Sequence, residues 1–353
     1  MLGRRKALFY EKLPDKKVKC KLCPRNCILS PGQLSFCKVR KNIDGELYTL
    51  NYGIISALGI DPIEKKPLFH FYPGSPIFSI STFGCNFKCP WCQNWEISQS
   101  EPNLSYASYY PPEDLIKLVK KYRSPSIAYT YNEPIIWYEY VLETSKLAKK
   151  EGIMNVLVTN GHICMEPLEE LIPYIDAVNV DIKAFSQDVY SKYIKGYLEA
   201  VLEAIEEMKK KGVHVETTYL VIPGVNDREE EFRKMVRWHL DRLGDDTPLH
   251  ISRFFPHYKF LDTSPTPTET LERLWKVAQE EGVKYVYVGN LPGHRGENTY
   301  CPSCQRAVIK RIGFAITEWN LSEDNRCKFC GAEINIRGRK WKEVGGHYWW
   351  LFI

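Results

Sequence analysis

With 353 residues, 44% of them hydrophobic and 26% charged, the chain suits one large folded domain with small attachments and not a disordered polymer. The net charge of +5 is mild. It reads as solvated surface, and no dense basic–aromatic stripe marks a nucleic-acid binder. No apolar run approaches membrane-span length, and the twelve cysteines are grouped at metal-ligand spacings. A disulfide framework is therefore not expected, and a reducing cytoplasm is.

The chain opens with Met1-Leu2-Gly3-Arg4-Arg5-Lys6, basic but with no apolar signal core after it. Cys20, Cys23, Cys27 and Cys37 place four thiols in eighteen residues, so residues 1–60 are expected to hold a metal. Structural zinc and a second iron–sulfur cluster that relays electrons both fit that spacing. Ile77–Ser81 is the first predicted strand, and it runs into Cys85-x3-Cys89-x2-Cys92. Three thiolates at this spacing can hold one [4Fe–4S] cluster and leave one iron free for a small molecule. A zinc knuckle is the rival, but zinc takes four ligands and no fourth cysteine is near in sequence.

Pro112-Glu113-Asp114 predicts a helix start, with acids in the first turn. Further strands are predicted at Ser126–Thr130, Asn155–Val158, Ala177–Val180, His214–Val221, Leu249–Arg253 and Tyr285–Val288, with helices between them. Tyr197–Lys211 is the clearest helix: Leu198, Val201, Leu202, Ile205 and Met208 form one stripe, and Gly212 stops it. This alternation predicts an α/β fold with parallel strands, a partial (β/α)6-type TIM barrel over residues 61–295. No G-x-G-x-x-G follows the first strand, which argues against a dinucleotide-binding sheet.

In such barrels the chemistry sits at the C-terminal strand ends. Those ends carry Thr130-Tyr131-Asn132-Glu133, Asn160, Asp181 with Lys183, and Arg253. Each alone fits a cap or a loop. Their recurrence at one rim predicts a shared site. Cys164 stands alone and reads as a small core residue. His70, His250, His257 and His294 each read as structural before functional. Trp91, Trp95, Tyr129 and Tyr131 fit ordinary packing better than a radical pocket.

Residues 296–353 carry Cys301-x2-Cys304 and Cys327-x2-Cys330, two knuckles that complete a tetrahedral S4 site. A zinc-ribbon-like module is expected, with rubredoxin-like iron the alternative. The aromatic tail Trp341–Ile353 reads as a packed strand, with a partner surface as the sharper alternative.

The cysteine triplet with Trp91 before its last member resembles the signature of the radical S-adenosylmethionine (SAM) superfamily, especially the pyruvate formate-lyase activating enzymes. The flanking text, including Cys20–Cys27, Cys37–Arg40, Asp61–His70, Gly84–Trp95, Tyr129–Pro134 and Asp181–Lys183, is most similar to the radical SAM member of the so-called AmmeMemoRadiSam system. The resemblance implies a [4Fe–4S] cluster at Cys85, Cys89 and Cys92 and an oxygen-sensitive enzyme. It implies reductive cleavage of SAM to a 5′-deoxyadenosyl radical that abstracts hydrogen from a substrate. It also implies a donor such as ferredoxin or flavodoxin, and as partners Memo-like and AMMECR1-like proteins.

The superfamily's segment that contacts the SAM amino group maps onto Thr130–Glu133. It is usually glycine-rich, and here Tyr131-Asn132 replaces the glycines. Chemically, Glu133 suits the ammonium, Asp181 the ribose, and Lys183 or Arg253 the carboxylate. A protein or peptide substrate, activase-like, is the leading expectation. RNA or small-molecule modification is the alternative, and a non-enzymatic iron–sulfur and zinc scaffold or redox sensor is the alternative from another class.

Overall fold

The computed structural model describes residues 3–341. Its main sheet has eight strands in sequential order: β1 (Ala57–Pro62), β2 (Pro76–Ser81), β3 (Ser126–Tyr129), β4 (Met154–Thr159), β5 (Ala177–Asp181), β6 (His214–Val221), β7 (Leu249–Arg253) and β8 (Val286–Gly289). All neighbouring pairs from β2 to β8 are parallel, and β1 runs antiparallel to β2. Among the described residues β1 and β8 do not pair, so the sheet is open. The expected α/β class with mostly parallel strands is thus observed.

The connecting helices are α1 (Pro112–Lys121), α2 (Tyr138–Lys150), α3 (Met165–Leu171), α4 (Leu198–Lys210), α5 (Glu229–Leu243) and α6 (Thr268–Glu281). Each covers the sheet with an apolar stripe, as Leu115, Ile116 and Val119 do on α1 and Val201, Ile205 and Met208 on α4. Strands buried on both faces read as apolar runs, so no predicted strand end differs from the structure by more than one residue. The expected boundary at residue 60 falls inside β1, which belongs to the main sheet. Cys164, expected in the core, is half-buried where the chain enters α3.

Residues 5–49 form two small three-stranded sheets, and Arg40 on one of them reaches α2. Arg40 Nη2 donates to both oxygens of the Glu139 carboxylate, at 2.6 and 2.8 Å, with the side chains 1% and 3% exposed. The Leu8 backbone N–H donates to the same carboxylate at 2.8 Å. Glu139→Ala would leave a buried guanidinium without its counter-ion. A loss of about 3–5 kcal/mol in chemical denaturation is expected.

A second cluster packs under the sheet. It includes Phe69, Tyr285, Tyr287 and the apolar face of the C-terminal sheet β9 (Thr299–Tyr300), β10 (Ala307–Ile312) and β11 (Ala315–Trp319). Of the aromatic tail only Trp341 is described, and its N–H donates to Pro73 O at 3.0 Å. The expectation of a packed tail strand otherwise lies outside the described residues. Among the described residues no helix is long and apolar enough to cross a membrane.

Candidate active site

The loop after β2 carries the cysteine triplet across the C-terminal ends of the strands. Gly84 turns this loop with φ +87°, and a Cβ there would lie 2.4 Å from Cys37 O, so only glycine fits. Asn132 staples the loop from the β3 side: its Nδ2 donates to Gly84 O at 2.8 Å and its Oδ1 accepts from Thr82 N–H at 3.2 Å. Asn160, after β4, donates to Asn86 Oδ1 at 2.9 Å, and its Nδ2 is 3.9 Å from Cys85 Sγ.

Cys85, Cys89 and Cys92 open into one cavity of about 320 Å³. Trp91, Thr130, Asn132, Glu133, Asn160, Asp181 and Lys183 line it as well. The sequence-predicted rim is thus brought together, with one exception. Arg253 does not line the cavity; its Nε donates to Thr266 O at 2.9 Å and its guanidinium lies over Phe255. Its neighbour Ser252 faces the cavity instead, because strand side chains alternate.

Burial raises the Cys85 thiol well above its ordinary pKa and the Cys89 thiol to about 12, although Lys183 opposes the latter. Thiolates here need a metal to exist. Donors already face the sulfurs: Phe87 N–H is 3.3 Å from Cys85 Sγ, and Ser98 Oγ is 3.2 Å from Cys92 Sγ. Lys183 pairs with Asp181 at 2.8 Å. Burial alone lowers its pKa, but Asp181 and Cys89 outweigh burial and hold the ammonium charged.

Glu133 is already engaged. Its carboxylate accepts from Thr159 Oγ1 at 2.6 Å, Asn160 N–H at 2.8 Å and Ile135 N–H at 2.9 Å. It therefore braces the β3 and β4 ends as well as facing the cavity. Burial pushes its pKa up to about 7 against those three bonds.

Lys66 was missed by the sequence reading. Its Nζ is 2.5 Å from Asp61 and 4.4 Å from the Tyr131 ring, and it lines the cavity. Burial lowers its pKa to about 8. The charged run Asp61–Lys66 beside the first predicted barrel strand was the available signal.

The C-terminal cysteines converge separately. Cys301 and Cys330 sulfurs lie 3.6 Å apart, Cys304 and Cys327 sulfurs 3.7 Å apart, and all four within 4.8 Å of one another. Tetrahedral coordination at the Zn–S length sets sulfurs about 3.8 Å apart. Cys304→Ser is therefore expected to lower bound metal by about one ion per chain, read by elemental analysis.

A sequence profile of the Radical SAM superfamily matches residues 79–236. Uncharacterized protein MJ0808 of Methanocaldococcus jannaschii is 49% identical over 333 residues, covering 94% of this chain and 99% of its own length. Pyruvate formate-lyase 1-activating enzyme of Escherichia coli is 24% identical over 223 residues, 58% of this chain and 89% of its own. A crystal structure of a radical SAM methyltransferase from Sphaerobacter thermophilus shares the fold, with a TM-score of 0.50 at 16% identity, over 64% of this chain and 71% of that one. The profile falls on the strands and loops that build the cavity: residues 79–236 match the radical SAM superfamily, and glycyl-radical activating enzymes are among the chain's relatives.

Proposed function

We propose that the protein is a radical SAM enzyme of the activase-like type, acting on a protein or peptide. The observation that carries this reading is the single cavity shared by three cluster-spaced thiols and the Asp181–Lys183 pair. The donor set fits a [4Fe–4S] cluster: three thiols, with amide and hydroxyl donors aimed at two of the sulfurs. When bound, the cluster supplies the electron that cleaves SAM to methionine and a 5′-deoxyadenosyl radical, which takes hydrogen from the substrate.

The chain's own residues bind and orient. Lys183, held charged by Asp181, faces the SAM carboxylate. Asp181 has lone pairs left for the ribose hydroxyls. The backbone of Thr130–Asn132 takes the amino group, with Asn132 fixing that segment against the cysteine loop. Glu133 positions these strand ends and adds negative charge beside the ammonium. Cys301, Cys304, Cys327 and Cys330 hold zinc as a structural site.

The electron comes from a ferredoxin- or flavodoxin-class donor in a reducing cytoplasm, and the Memo-like and AMMECR1-like proteins are the first partners to test. The test is anaerobic: reconstituted protein with dithionite and SAM is expected to release 5′-deoxyadenosine, and omission of dithionite is expected to stop it. A fully loaded, reducible protein whose spectrum SAM does not change would sink the reading.

A further inference from the structure

We propose that Cys20, Cys23, Cys27 and Cys37 hold a second iron–sulfur cluster, which passes electrons to the Cys85, Cys89 and Cys92 site across the contact between Cys37 and Gly84. The relay rests on the reading of that second site as cluster-binding; the ligand assignment does not.

Sulfur spacing comes first. A single metal ion needs its sulfurs about 3.8 Å apart, and the C-terminal quartet is arranged that way. Among the described residues, the N-terminal cysteines do not converge as that quartet does, and neither do Cys85, Cys89 and Cys92. A cube of four irons holds its thiolates farther apart than one ion does, and the N-terminal set shares with the barrel set the lack of a single-ion site. The four N-terminal thiols still form one group: Cys20 and Cys23 each feel the charges of Cys27 and Cys37. The Cys20 N–H donates to Cys27 O at 2.9 Å, which closes the group.

The surroundings suit an anionic, redox-active occupant. The backbone of Leu22, Arg25 and Phe36 favours the thiolate form of Cys20, Cys23 and Cys27, against the burial that opposes it. Ser35 Oγ lies 3.1 Å from Cys37 Sγ. Hydrogen bonds to cluster sulfurs set reduction potential. Lys88 supplies an independent observation. Its Nζ is buried and has no hydrogen-bond partner among the described residues. It lies 4.7 Å from the Phe36 ring centre, and the thiols facing it are Cys85 and Cys37, one from each set. The Arg25 guanidinium lies 3.4 Å from the centre of the same ring, and its Nε donates to Asn86 O at 2.9 Å. Among the described residues neither Arg25 nor Lys88 pairs with a carboxylate. Two cations held between two thiol sets need negative charge there, and thiolate-bound clusters provide it.

The path is short. Cys37 O lies against the Cα of Gly84, the residue before Cys85, with no room for a Cβ between them. One electron from a ferredoxin- or flavodoxin-class donor enters the N-terminal cluster and reduces it by one. The same electron then moves to the barrel site, which is reduced as the first cluster is reoxidised. No atom or proton is transferred.

The full chain, reconstituted anaerobically with ferrous iron and sulfide, separates the possibilities. Wild type is expected to bind about eight irons and about eight sulfides per chain. A Cys85→Ala/Cys89→Ala/Cys92→Ala variant is expected to keep about four of each, with a paramagnetic signal on reduction. Zinc without labile sulfide in that variant overturns the proposal. Failure of the barrel-site reading appears elsewhere, as no sulfide in a Cys20→Ser/Cys37→Ser variant. If that variant keeps its barrel cluster, reduced flavodoxin is expected to lose its fast phase of cluster reduction in stopped flow, and an unchanged rate overturns the relay. Lys88→Gln leaves every thiol in place, so folding is not at stake. It is expected to lower the midpoint potentials of both clusters, and a shift in neither overturns the placement of Lys88 between them.

Discussion

Replacing Cys85, Cys89 and Cys92 by alanine is expected to abolish 5′-deoxyadenosine formation and leave the fold intact. The loop lies beyond the strand ends, and its shape does not depend on the sulfurs. Gly84 and Asn86 are held by Asn132, Asn160 and Arg25, and Lys88 N–H donates to Ile194 O at 2.9 Å. Trp91 packs on Phe260 at 5.5 Å between ring centres. None of these contacts uses a thiol. Far-ultraviolet dichroism and the denaturation midpoint should therefore stay close to wild type, whereas nucleoside release should fall to the uncatalysed background. Nucleoside release from the triple variant at wild-type rates would remove the loop from the chemistry. A partial loss in the single Cys85→Ala variant would show that two thiolates suffice, against the requirement for three ligands and one open iron.

The sheet was legible because its strands and helices obey local rules. Ile77, Phe78 and Ile80 form an apolar run bounded by turns, and α4 carries its stripe at helical spacing. β1 was not legible. Ala57–Pro62 mixes Gly59, Asp61 and Pro62 into a strand, which reads as loop until it is seen as the antiparallel edge, where proline is tolerated. At the site, cysteine spacing and strand-end acids pointed to the rim where the cavity lies, because parallel strands deliver their C-terminal ends to one side. Arg253 failed for a reason of parity: one residue along a strand reverses the face, and the strand end cannot be fixed to one residue from sequence. Lys66 and Asp61 were hidden because their meeting depends on the unseen edge strand. The sequence reading weighed its histidines one by one, and nothing local shows that His70, His214 and His250 surround one carboxylate. His70 and Glu216 are 146 residues apart.

That carboxylate carries a large expected effect on stability. Glu216 on β6 is fully buried and accepts four hydrogen bonds: from His70 N–H at 2.7 Å, Phe69 N–H at 3.0 Å, His250 Nε2 at 2.6 Å and His214 Nε2 at 3.0 Å. His70 in turn contacts Tyr287 Oη and Asn335 O, each at 2.5 Å, so one acid joins the segment before β2, the strands β6 to β8 and the C-terminal module. Glu216→Ala would strand two backbone donors and two imidazoles at once, and a loss of about 3–5 kcal/mol is expected in urea or guanidinium titration. Burial alone pushes the Glu216 pKa up, but the bonds from His214 and His250 carry it well below the ordinary carboxylate range. The unfolded chain takes up this proton near pH 4.3, while the folded chain holds the group ionised to lower pH. Its contribution is thus complete above about pH 5 and falls as pH drops below that. His70 adds to the same limb: burial lowers its pKa to about 4, so the unfolded state binds its proton first from about pH 6.5 downward. Wild-type stability should therefore decline with acid, and Glu216→Gln should flatten the part of that decline below about pH 5. Matching acid slopes in the two proteins would mean that the carboxylate is not ionised in the fold, and the four donors would then need another account.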